Sequence, residues 1–138
     1  MAKSLGGLIR LHEWNVDQKR RKLGELLNLL ADLEDQAIGL EEEVKSEQRV
    51  ASASPSVAGL LYGNYAMGVI ERRRRIAESI AKTEETVAAA REDMSDAFMI
   101  LKKFQTAQEN RDRLEAEELN RKEQAVLDEI GARRHFHR

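Results

Sequence analysis

The chain has 138 residues, of which 35% are charged, 41% apolar and only 4% aromatic, with a formal net charge of −2. So few large rings exclude an ordinary globular core, but the Ala, Leu, Ile and Val content is enough to fill a narrow seam between long helices, so an elongated all-α structure is expected. The near-neutral charge gives no global attraction to nucleic acid or anionic lipid, and without cysteine there is neither a disulfide nor a thiolate metal site, which suits a reducing cytosol.

The N-terminus carries Lys3 and Arg10 without a signal-type apolar stretch, and no apolar run reaches transmembrane length, so the expectation is a cytosolic protein without direct membrane insertion. Helix 1 is expected over about residues 4–50. With Ile9 at heptad position a, that column continues through Val16, Leu23, Leu30, Ala37, Val44 and Ala51 without a polar member. The d column runs Leu5, His12, Lys19, Leu26, Leu33, Leu40 and Glu47, so the seam is strongest from Leu23 to Val44.

A turn is expected over about residues 51–63. Ser52-Ala53-Ser54-Pro55-Ser56 gathers small polar residues around the only proline, which has no amide donor and fixes φ. Beyond it, residues 57–65 hold both tyrosines, Tyr62 and Tyr65, and are too apolar for a wholly solvated loop.

Helix 2 is expected over about residues 64–131, followed by a frayed tail at 132–138. Its heptads place Ile70, Ala77 and Phe98 at a and Ile80, Val87, Met94 and Leu101 at d, with Glu84 and Arg91 interrupting the a column. Phe98-Met99-Ile100-Leu101 puts apolar groups round more than one face, and Phe104 and Ala107 follow at a shifted register, which predicts a stutter or a second contact surface.

The two arms are unequal. With a turn centred near residue 57, equal helical rise along both arms puts residue 5 opposite roughly residue 109. Residues from about 110 to 131 then lack a partner within the chain, roughly 30 Å of helix. Isolated helices of this length are marginal in water. Yet Leu114, Leu119, Val126, Leu127 and Ile130 mark an apolar stripe among charges that include the pairs Glu117–Arg121 and Glu118–Lys122 at i,i+4 spacing. A stripe without an internal partner implies an external one.

The remaining motifs weigh against other chemistries. Arg72-Arg73-Arg74-Arg75 is dense enough for an acidic partner, but four successive helical residues spread round the helix, and no aromatic residues interleave to stack on bases. His12 lies far in sequence from His135 and His137, too few and too scattered for a metal site. The sequence has neither a Gly-rich phosphate loop nor a nucleophile elbow, and carboxylates on a rod face water rather than a pocket, so neither an enzyme nor a cofactor is expected.

Residues 110–134 resemble the C-terminal signature of the FliJ family of flagellar export stalk proteins, most clearly at Arg121-Lys122-Glu123-Gln124, Leu127-Asp128-Glu129 and Arg133-Arg134. The opening Leu5-Gly6-Gly7-Leu8-Ile9-Arg10-Leu11-His12-Glu13-Trp14, with Asp17 and Lys19-Arg20-Arg21, is similar to the alphaproteobacterial branch of that family. The resemblance implies a cytoplasmic coiled-coil hairpin similar to the coiled-coil part of the ATP synthase γ subunit, at the inner face of the cell membrane at the flagellar base. It implies insertion of the end bearing both termini into the hexameric flagellar export ATPase, contact with the cytoplasmic domain of the membrane export gate, and a role in escorting export chaperones.

Carried onto this chain, the resemblance implies ATPase contacts by Leu114, Leu119, Arg121, Glu123, Gln124, Leu127, Asp128, Ile130, Arg133 and Arg134, assisted by Ile9, Arg10 and Trp14. It implies gate contacts by Tyr65, Val69 and Ile76, early in helix 2, where Gly68 and the arginine run replace some of the apolar positions expected. Three readings remain: the flagellar stalk; the equivalent stalk of a virulence type III secretion system or a generic coiled-coil adaptor; and a nucleic-acid or membrane-surface binder using Arg72 to Arg75.

Overall fold

The computed structural model describes residues 4–53 and 55–136, with the backbone alone described for residues 55–60. It is all-α among these residues, an antiparallel hairpin of α1 (Gly6–Ala53, 48 residues) and α2 (Pro55–Phe136, 82 residues). The expected inequality of the arms is present. The expected turn over 51–63 is not: α1 runs on through Ala53, and α2 starts at Pro55. Proline suits a first helical position, where its missing N–H has no intrahelical acceptor and its fixed φ is already helical. Nor is the expected frayed tail present at 132–136. Arg133, Arg134 and His135 lie in the last turn, where cationic groups face the negative end of the helix dipole. His137 and Arg138, the rest of that expected tail, lie outside the described residues.

The chain divides into two compact units, one of Met1–Val16 with Asp96–Arg138 and the other of Asp17–Ser95. In the second, Leu23, Val87 and Ala90 are buried together with Leu26 and Met94 against them, and Leu40, Val44 and Val69 form another cluster flanked by Tyr65 and Ile76. In the first, Val16, Ala97 and Leu101 are buried together with Ile9 packed on them. Pairs such as Leu40 with Val69 place the centre of the hairpin between α1 and α2, about two residues before the expected residue 57.

Along α1 the covered positions are the columns read from the sequence, Glu47 apart, which is exposed. Along α2 the expected d column of Ile80, Val87, Met94 and Leu101 is covered, whereas the a column lies one residue earlier than expected. Val69, Thr83, Ala90 and Ala97 are buried, whereas Ile70, Ala77 and Phe98 are exposed. The shift removes Glu84 and Arg91 from the seam and substitutes Thr83 and Ala90, small residues that let the helices approach. The Thr83 hydroxyl donates to the Ser79 carbonyl at 2.7 Å, so it enters the seam already satisfied.

Candidate functional site

The start of α1 is held by one side chain of α2. Gln108 Oε1 accepts the Leu5 backbone N–H at 2.7 Å, and its Nε2 donates to Asp112 Oδ1 at 2.8 Å. The Ser4 hydroxyl accepts the Gly6 N–H at 3.1 Å, satisfying one of the donors that a helix N-terminus leaves open. His12 stacks on Phe104 with ring centroids 4.9 Å apart. This end of the hairpin is therefore closed by specific contacts.

From Glu109 to Phe136 every residue is exposed. That stretch is roughly 40 Å of helix. Leu119 and Leu127 are 59% and 61% exposed, and Val126 and Ile130 are similarly open. At about 100° per residue, Leu119, Val126 and Ile130 fall within about 40° of one another, on the side of α2 that carries Leu101 and Gln108. Leu127 flanks them. Leu114 does not belong to this stripe, because five residues of helix turn it about 140° away from Leu119.

The charges around the stripe pair along the helix. Arg121 reaches Glu118 at 2.7 Å, Arg113 reaches Glu117 at 3.9 Å and Arg133 reaches Glu129 at 3.0 Å, so the expected Glu117–Arg121 and Glu118–Lys122 pairs are replaced by neighbours one turn back. Gln124 donates to Asp128 at 3.4 Å. Glu123 and Arg134 are exposed. Beside the base of this segment, Ile9 is half-buried in the seam, Arg10 is exposed, and Trp14 is 60% exposed on the far side of α1. Phe98, Met99 and Ile100 are exposed, with the Lys102 ammonium 5.5 Å above the Phe98 ring.

In the other unit, the arginine run is taken up by carboxylates. Arg73 grips Glu41 through two hydrogen bonds, at 2.5 and 2.7 Å, and Arg72 reaches Glu43 at 3.1 Å, both across the seam. Arg74 bonds Glu71 and Glu78, and Arg75 bonds Glu71. The hydrogen bond from Arg73 holds the Glu41 carboxyl below its ordinary range, and those from Arg74 and Arg75 do the same for Glu71. Cations engaged in this way offer little to phosphate, which removes the motive for the nucleic-acid reading. Of the residues expected early in α2, Val69 is buried, while Tyr65 and Ile76 are half-buried against it. The Tyr65 hydroxyl is shielded from water and finds no hydrogen-bond partner among the described residues. Desolvation, then the charges of Glu43 and Glu47, raise its pKa.

Among the described residues, no cluster of His, Cys, Asp or Glu is placed to hold a metal ion, and no helix is long and apolar enough to cross a membrane. The family model of the flagellar FliJ protein matches residues 1–138. The chain belongs to the FliJ family. Flagellar FliJ proteins of two Caulobacter vibrioides strains are each 30% identical to it over 134 residues, covering 97% of this chain and 96% of theirs. No solved structure matches it. The family match favours the flagellar reading over the virulence-system stalk.

Proposed function

We propose that this FliJ-family chain is a non-enzymatic stalk of the flagellar type III export apparatus, resembling the ATP synthase γ subunit, and that its free helical end binds the hexameric export ATPase. The observation that carries the reading is the complete exposure of residues 109–136 together with the apolar stripe Leu119, Val126 and Ile130. A lone helix of this length is only marginally stable, and covering an apolar stripe by a ring of subunits stabilises it. The sparse stripe among charges allows contact without permanent locking. Leu127, Arg121, Glu123, Gln124, Asp128, Arg133 and Arg134 border it, Leu114 contributes from another side, and Ile9, Arg10 and Trp14 lie at its base.

The cytoplasmic domain of the export gate is the proposed partner of the region early in α2. There Tyr65 presents a partly open ring beside Tyr62, and Val69 and Ile76 hold the seam beneath. Export chaperones are a further class of partner, and the working location is cytoplasmic, peripheral at the inner face of the membrane. The primary test is a pull-down with the purified export ATPase. Leu127→Asp combined with Ile130→Asp is expected to abolish binding with far-UV circular dichroism nearly unchanged, since both side chains are exposed and support no packing. Equal retention of wild type and double variant counts against the assignment.

A further inference from the structure

The free end of α2 is complementary to itself. We propose that residues 113–136 pair with the same segment of a second copy of this chain as a weak antiparallel two-helix coil. Ala116, Leu119, Glu123, Val126, Ile130 and Arg133 recur at alternating spacings of four and three, the pattern of a two-stranded seam. In an antiparallel pair, a single register brings Leu119 onto Ile130 of the second copy, Val126 onto its Glu123 and Ala116 onto its Arg133. The two-fold symmetry makes the Leu119–Ile130 contact twice.

Charge fixes the direction. A parallel pair would set Glu123 against Glu123 and Arg133 against Arg133 across the seam, like charges in the most desolvated positions. The antiparallel register separates them and places Lys122 of each copy beside Glu129 of the other along one flank. It also brings Arg113 towards Arg134, but only at exposed ends where water and salt screen the repulsion. Glu123 and Arg133 can lay their aliphatic stems in the seam with their charged heads in water.

Length agrees as well. In this register residue 136 lies opposite residue 113, so the described residues of the second copy do not reach Gln108, where Leu5 and α1 begin. The area covered is on the order of 1,000 Å², at the small end for specific association, so the pairing is reversible, with monomer dominant near about 1 µM and dimer near about 300 µM. The same stripe cannot serve a second copy and another protein at once.

The test uses the full chain alone, so its result is independent of the export reading. Sedimentation velocity is expected to show a concentration-dependent rise from monomer to dimer that Ile130→Asp removes. The chain has no native cysteine. Under mild oxidation, a mixture of Leu119→Cys and Ile130→Cys chains is expected to give a disulfide-linked heterodimer, and Leu119→Cys alone none, because its two thiols would lie about 16 Å apart. A strictly monomeric chain, a dimer that persists in Ile130→Asp, or efficient cross-linking of Leu119→Cys to itself would each overturn the proposal.

Discussion

Two consecutive stretches of α2, residues 96–108 and 109–136, have similar chemistry and opposite fates. In the first, Ala97 and Leu101 are buried against Val16 and Ile9; in the second, Leu119, Val126 and Ile130, at least as apolar, stand in water. The difference is the end of α1. Beyond the point where Gln108 takes the Leu5 N–H, α1 has begun and offers the stripe no further described helix, and the stripe changes from core to surface. What separates buried from exposed apolar residues here is therefore the extent of α1 rather than side-chain type. Leu27 and Leu29 show the converse, apolar residues within the paired part of α1 that stay exposed because they border the seam rather than enter it.

The comparison breaks most directly by making the same truncation in both kinds of site. Leu40 is 3% exposed in the seam, and Leu40→Ala is expected to destabilise the hairpin by about 2–4 kcal/mol in urea or thermal unfolding, the transfer and cavity cost of a buried leucine. Leu127→Ala, at a position 61% exposed, is expected to change stability by less than about 0.5 kcal/mol. Similar losses at the two positions would mean that the free end is packed in solution.

A smaller effect sharpens the boundary itself. Gln108→Ala removes the acceptor of the Leu5 N–H, a loss of about 1 kcal/mol by analogy with helix caps, and should fray the first turn of α1. Amide exchange is expected to quicken at Leu5 and the adjoining residues while Val44 and Val87 keep their protection. Uniform acceleration along both helices would show instead that Gln108 supports the whole hairpin.

How much of this was legible follows from the kind of signal each feature leaves. The α1 seam could be read directly, because an unbroken apolar column has one interpretation. In α2 the d column of Ile80, Val87, Met94 and Leu101 is equally legible, but Ile70 and Phe98 draw the a column one residue too far, while Thr83 and Ala90, the residues that fit, are too small to announce themselves. Glu84 and Arg91 were the warning, since two charges in a seam column cost more than a shift of one residue. Pro55 was read as a helix breaker, yet at a first helical position it has nothing to break. The free end emerged from arithmetic on arm lengths and needed no side-chain detail. Leu114 was placed on the stripe by proximity in sequence, which helical rotation contradicts. The engagement of Arg72 and Arg73 could not be seen, because Glu43 and Glu41 lie on the other helix.

The smallest expected effect separates the charges of the paired region from those of the free end. Hydrogen bonding from Arg73 lowers the Glu41 pKa in the folded chain, so the folded state binds this proton less readily than the unfolded one. The stability that Glu41 contributes is therefore complete above the ordinary carboxylate range, near about 4.3, and declines as pH falls towards and through the lowered value. Because the pair is exposed, water screens it and the contribution is modest. Comparing wild type with Glu41→Gln in urea unfolding from neutral to acid pH should show a small gap at neutrality that closes below the ordinary carboxylate range and narrows with added salt. Glu123→Gln on the free end, at an exposed position, should change stability by less than about 0.5 kcal/mol at neutral pH. A gap that widened as pH fell would reverse the sign assigned to Glu41, and would require its protonated form to be the one the fold prefers.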